Sequence, residues 1–164
     1  MTRDEVLEQL TRERAEFDAL VNVIPNDAMD RPVPGGEHTP KQIVAHVSAY
    51  EQLIVERLRA ARLGQSTDFD RDGIGWVAFN ERIWAESEPL DPSVVLARSA
   101  RDFLAMVEEI SALENEEFGA LSKVAEALDP GWLEGRALWE AICVDTFEHY
   151  PMHFAQLEAA ATAK

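Results

Sequence analysis

The sequence predicts an all-α protein, a four-helix bundle with one or two extra short helices. Three observations carry this: apolar residues recur at intervals of three and four along most of the chain, no stretch alternates with a period of two, and loops bearing proline or glycine separate the periodic segments. At 164 residues the chain is expected to form a single domain, 1–164, large enough to bury a core without disulfides. No internal repeat is visible.

The first segment, from Arg3 to Ile24, sets Val6, Leu10, Phe17, Leu20, Val21 and Ile24 at helical spacings, with Glu and Arg on the outer face. It ends ahead of Pro25-Asn26-Asp27, and Pro32, Pro34, Gly35 and Gly36 make the next stretch a loop. Thr39-Pro40-Lys41-Gln42 then reads as a helix start, with Thr39 as N-cap, Pro40 where its missing N–H costs nothing, and Gln42 closing a capping box. This second helix runs to Leu63 and stops at Gly64. Ile43, His46, Tyr50, Leu53, Ile54 and Arg57 share one of its faces.

Gln65 to Gly75 is polar, and Asp68, Asp70 and Asp72 alternate before Gly73 as they would at the start of a calcium loop. Position 12 counted from Asp68 is Phe79, where such a loop needs glutamate, so an exposed loop is expected instead. Gly75 to Ser87 predicts a short amphipathic helix carrying Trp76, Val77, Phe79, Asn80, Ile83 and Trp84. Asp91 caps the next helix with Pro92 at its first position, and Val95, Leu96, Phe103, Leu104, Val107 and Ile110 carry it to Leu113. A short helical piece around Phe118 to Leu128 precedes Asp129-Pro130-Gly131, and a last helix is predicted from Ala137 to Ala160.

Fifteen basic against 31 acidic residues give a net charge of -16, which repels phosphate backbones and anionic lipids. The expected partners are therefore a small-molecule substrate and a second copy of the chain, a homodimer, with no nucleic acid and no membrane. Neither a cleavable leader nor a continuous apolar span is seen, and the single cysteine, Cys143, gives no sign of an oxidising compartment. A cytoplasmic protein is expected.

On the last helix Leu138, Ile142, Asp145, His149, His153 and Gln156 fall on one side, because residues three and four apart are neighbours on a helical surface. Two histidines on an apolar stripe need an explanation, and His46 on the buried face of the second helix is their candidate counterpart. Three neutral imidazoles are a ligand set for zinc or nickel, leaving one to three positions open to water or substrate. Two other readings stand beside this: a non-catalytic binding or stress-related bundle, and a bundle whose histidines are hydrogen-bonded core residues. Pro151, inside the predicted helix, leaves the Phe147 carbonyl without its partner and either kinks the axis, at a cost of about 3 kcal/mol, or breaks the helix there, in which case the i, i+4 argument weakens.

Asp145, one turn before His149, is placed to orient an imidazole or accept a proton, and Tyr50, one turn after His46, to line a pocket or simply fill the core. These two are the candidate catalytic residues. Arg57 is expected as an exposed helix-end cation, with carboxylate binding as the alternative, Cys143 as a buried small hydrophobe, Glu148 in solvent, and His38 in solvent, with a role at the site mouth as the alternative.

The run Pro40-Lys41-Gln42-Ile43-Val44-Ala45-His46-Val47-Ser48-Ala49-Tyr50-Glu51 resembles the second-helix motif of the DinB/YfiT-like metal-dependent superfamily. Thr146-Phe147-Glu148-His149-Tyr150-Pro151-Met152-His153 is similar to that superfamily's terminal HxxxH, its proline included. Phe79-Asn80-Glu81-Arg82-Ile83-Trp84-Ala85-Glu86 looks like the ClbS/DfsB-like branch. The resemblance implies a four-helix bundle with a divalent metal held by His46, His149 and His153. It also implies kinship with transferases and isomerases that use a low-molecular-weight thiol, and with protective proteins acting on reactive small molecules. In the ClbS/DfsB-like branch the last position of the terminal motif is often not histidine, so His153 points to the broader metal-binding group. A metal-dependent enzyme of thiol-transferase or hydrolase type is the function expected.

Overall fold

A computed structural model of the chain describes residues 1–65, 67, 75–119, 122–128 and 135–163. Each long helix begins where its sequence supplies a cap. Helix α1 spans Arg3–Asn22, where the Thr2 hydroxyl accepts from the Glu5 N–H and the Glu5 carboxylate from the Thr2 N–H. It stops short of the predicted Ile24, because a residue before proline is driven out of the helical region, although Ile24 is still buried. A 3-10 turn, Asn26–Ala28, follows in the predicted loop.

Helix α2 spans Pro40–Arg62 with the Thr39/Gln42 capping box in place, and ends on Gly64, whose φ of 65° suits the left-handed region that glycine tolerates best. Helix α3, Trp76–Ser87, starts from Gly75. Helix α4, Pro92–Ser111, starts where the Asp91 carboxylate accepts from the Ser93 N–H at 2.8 Å. The predicted piece around Phe118 to Leu128 is two elements, a 3-10 turn Asn115–Phe118 and the short helix α5, Lys123–Leu128. The Asp68–Asp72 alternation and Asp129-Pro130-Gly131 lie outside the described residues.

The last helix is broken rather than kinked. Helix α6, Leu138–Val144, is followed by turns, a 3-10 turn Tyr150–His153, and helix α7, Phe154–Thr162. The register shifts before the proline is reached: Glu148 N–H donates to the Cys143 carbonyl, His149 N–H to Thr146, and the Thr146 hydroxyl takes the Ile142 carbonyl at 2.5 Å. Pro151 has no N–H and would clash with the carbonyl four residues back, so a regular helix cannot pass through 147–151. His149 and His153 are therefore not an i, i+4 pair on one regular helix.

Among the described residues every element is helical, and α2 is the centre: it packs along α4 and against α3 and α5, while α1 packs against α4, α7 and the C-terminal 3-10 turn. The broken C-terminal segment fills the fourth position of the bundle. Leu10, Phe17, Val47, Leu58, Met106, Ile110, Leu138 and Leu157 are fully buried, each such side chain contributing about 1.5–3 kcal/mol. No helix among the described residues is long and apolar enough to cross a membrane.

Candidate functional site

His46 comes from the inner face of α2, His149 from the turn after α6, and His153 from the last residue of the 3-10 turn. Their Nε2 atoms converge: His46 to His149 is 3.0 Å and His153 to His149 is 3.2 Å. The Gln156 side-chain carbonyl accepts from His153 Nδ1 at 2.9 Å, which leaves the lone pair of that ring on Nε2, facing the other two. One Nε2 of His149 cannot satisfy two neighbouring ring nitrogens at once, since it carries either one proton or one lone pair. Nδ1 of His46 and of His149 are buried and make no hydrogen bond. The Asp145 carbonyl favours the charged form of His149 without completing an aligned bond to it.

The rings are held by packing instead. His46 stacks on Trp84 (4.7 Å, 25°) and meets Tyr50 at 4.8 Å, while Tyr50 also meets His149 at 4.7 Å. Burial, followed by repulsion from the neighbouring imidazoles, pushes His46 down to about 2 and His149 down to about 4; burial also lowers His153. At neutral pH all three are uncharged, the form that binds metals.

These residues fit a divalent ion. The three Nε2 atoms lie within 4.8 Å of one another, and the two separations from His149, 3.0 and 3.2 Å, are close to the roughly 3.3 Å that tetrahedral ligands at 2.0–2.1 Å from zinc adopt. No other group of three or more His, Cys, Asp or Glu side chains with converging ligand atoms is found among the described residues.

Tyr50 and Asp145 reach the same place. With His149, Trp76, Val144 and Met152 they line a cavity of about 350 Å³. The Tyr50 hydroxyl donates to Asn80 Oδ1 at 3.0 Å, and burial beside Asp145 pushes its pKa up to about 12, so it stays a phenol. Asp145 Oδ2 accepts from Arg57 Nη1 at 2.9 Å. Arg57 was expected in solvent and is buried, because the face of α2 that carries His46 and Tyr50 continues inward to it, where Asp145 meets its charge. His38, also expected in solvent, is half-buried and stacked on Trp84 at 4.0 Å. Cys143 is buried as expected, and burial pushes its thiol up to about 12, leaving it inert. Glu148 is exposed.

A second buried cluster lies beside the histidines and escaped the sequence. Glu51 Oε1 accepts from Arg14 Nη1 at 2.6 Å and from the Tyr150 hydroxyl at 2.7 Å, while Arg14 also donates to Ser99 Oγ and Asp18 Oδ1 at 2.8 Å. Burial raises the Glu51 carboxyl to about 7 against the pull of Arg14 and Tyr150, and its Oε2 has no partner. The signal was present: Arg14 replaces an apolar residue in the series Leu10, Arg14, Phe17, Val21, and Glu51 does so in Val47, Glu51, Ile54, Leu58. Gln156, three residues after His153, was likewise readable as its hydrogen-bond partner.

Fold and site together define a helical bundle with a three-histidine cluster inside it. The chain belongs to the DinB superfamily, whose family model matches residues 9–142, a span that includes His46 and ends before His149 and His153. No curated protein matches the sequence. Among solved structures, the colibactin self-resistance protein ClbS, in complex with a double-stranded DNA, superposes with a TM-score of 0.80 at 14% identity, covering 99% of this chain and 97% of that one. An uncharacterised protein from Escherichia coli UTI89 gives 0.76 at 17% identity over 98% and 92%, and a protein from Streptococcus pneumoniae gives 0.77 at 14% over 96% and 88%.

The ClbS complex corrects one expectation. Nucleic acid was excluded on the net charge of -16, yet a protein of this fold is found with double-stranded DNA. Net charge sums over the whole surface, whereas a duplex is held by local contacts, so an acidic balance does not exclude that partner.

Proposed function

We propose that the protein is a metal-dependent enzyme acting on a small molecule, of thiol-transferase or hydrolase type, with His46, His149 and His153 holding zinc or nickel. The observation that carries this is the convergence of three neutral Nε2 atoms, two on buried rings and one on a half-buried ring, of which that of His149 cannot satisfy both neighbours. A divalent ion bound there supplies Lewis acidity, easing the loss of a proton from water or from a low-molecular-weight thiol cosubstrate.

The chain's own residues do the rest. Gln156 fixes the His153 tautomer, Trp84 and Tyr50 hold the His46 ring, and Asp145, on the cavity wall next to His149, accepts the released proton. The Tyr50 hydroxyl, already donating to Asn80, offers its lone pairs to a substrate donor. Cytoplasmic location and a homodimer complete the proposal.

The test is elemental analysis of protein purified with and without added zinc or nickel, for wild type and for His46→Ala, His149→Ala and His153→Ala. About one ion per chain in wild type and a loss in each variant are expected; no ion in wild type defeats the proposal. A screen against thiols and electrophiles follows. An ion with every position filled by protein points to non-catalytic binding instead.

A DNA-associated role is a second reading, favoured by the presence of double-stranded DNA in the ClbS complex. Fluorescence anisotropy with a labelled duplex over a salt series tests it: saturable binding that weakens with salt supports it, and no binding at low salt removes it.

A further inference from the structure

The cavity beside the histidines is walled by apolar and aromatic side chains. Its volume, about 350 Å³, is at the lower end of ligand-binding pockets, room for one or two fused rings. Tyr50 and Trp76 lie nearly parallel there, 14° apart with centroids at 5.8 Å. Trp76, Val144 and Met152 remain 40%, 49% and 73% exposed although each is a large hydrophobe, and all three lie on this one cavity. Single exposed hydrophobes such as Val23 and Leu63 need no explanation; three around one opening do.

The charges narrow the occupant further. None of the six described lining residues is Lys or Arg, and the neighbouring guanidinium, Arg57, is ion-paired to Asp145 and lies over the Trp76 ring at 5.8 Å. In the metal-free protein a carboxylate, sulfonate or phosphate entering here would leave water and meet Asp145 with no cation among the described lining residues to receive it. A neutral ring gains burial against Trp76 and Met152, and a cationic ring gains the aromatic faces as well.

We infer that the site takes a small aromatic or heteroaromatic substrate, neutral or cationic, seated on the wall formed by Tyr50, Trp76 and Met152. This rests on the histidine cluster being the reacting end of the same cavity.

Calorimetric titration with three two-ring probes tests it: indole, N-methylquinolinium and naphthalene-2-sulfonate, against zinc-treated and metal-free protein, for wild type, Trp76→Ala and Met152→Ala. Circular dichroism confirms that the variants are folded. Indole and N-methylquinolinium should bind wild type in both forms, with naphthalene-2-sulfonate about tenfold weaker on the metal-free protein. Trp76→Ala should weaken indole about tenfold and Met152→Ala by a smaller factor.

The inference is overturned if neither favoured probe binds, if the sulfonate binds metal-free protein equally well, or if Trp76→Ala changes nothing. It is also overturned, in favour of an extruded base, if a short oligonucleotide binds in a Trp76-dependent way and the free rings do not. Zinc stoichiometry is measured separately: stoichiometric zinc without ring binding overturns the aromatic substrate and leaves the metal reading standing. Ring binding without zinc uptake supports the aromatic wall and defeats the metal reading.

Discussion

His46 and Glu51 lie five residues apart on α2, and their partners His149 and Tyr150 are consecutive on the C-terminal segment, yet the two clusters are built in opposite ways. Around Glu51, Arg14, Tyr150, Ser99 and Asp18 each donate or accept within the cluster, and Arg14 makes three hydrogen bonds. Around His149, three uncharged rings turn lone-pair nitrogens toward one another, and two further ring nitrogens have no partner at all. The first arrangement pairs every member of the cluster, leaving one oxygen, Glu51 Oε2, without a partner, and ties α1, α2 and the turn together. The second leaves converging ring nitrogens unsatisfied, and in the proposed function a bound ion takes them up.

Breaking the ionic cluster gives the largest expected effect. Arg14→Ala leaves the Glu51 carboxyl buried without its cation and should cost about 3–5 kcal/mol, read by urea denaturation. The double variant Arg14→Met/Glu51→Leu should recover most of it, because both charges then go together.

The histidine cluster should respond to metal instead. Zinc at about one hundred times its dissociation constant should stabilise wild type by about 2.7 kcal/mol, seen as a rise in Tm. His149→Ala should abolish that rise while leaving the metal-free protein folded.

The two clusters should also oppose each other in pH. His46 and His149 are depressed in the folded protein, so as pH falls below the ordinary histidine value of 6.5 the unfolded chain takes up protons first and stability declines. Glu51 is raised, so its contribution is fully present below the ordinary value of 4.5 and is lost as pH climbs to about 7. Three depressed histidines outweigh one glutamate, and metal-free wild type should gain stability from pH 5 to 6.5. In His46→Gln/His149→Gln only His153 still opposes Glu51 and the gain should shrink, as denaturation midpoints across that range will show.

The smallest effect is expected at Tyr50→Phe, which removes one hydrogen bond to Asn80 and should change stability by about 1 kcal/mol or less, by thermal melting. A larger loss of activity than of stability would place the hydroxyl on the substrate.

The starts of the helices were legible because caps are local: Thr39 with Gln42, and Asp91 ahead of Pro92, state their own geometry in a few residues. His46 and His149 were legible as misfits on apolar faces. The break after α6 was not, because residues 145–149 keep an apolar period while their hydrogen bonds shift register, and periodicity reports which side is buried rather than which carbonyl is used. Arg57 was hidden for a related reason: a buried cation is recognised by the carboxylate that meets it, and Asp145 comes from the turn after α6, whereas Arg14 left a trace as the one charge in an apolar series.

That break also bears on which ion the proposed site would select. On a regular helix the two imidazoles would be set by a ladder of i to i−4 bonds, and ions with longer or shorter bonds would strain it. Here His153 hangs from a 3-10 turn anchored at one side by the Tyr150 hydroxyl on Glu51 and at the other by α7, so the gap to His149 is set by a turn rather than a rod. If the proposed ion is held there, such a jaw would accommodate zinc, nickel or their neighbours with little distortion, and the choice among them would follow supply and the affinity order of the metals more than the shape of the site.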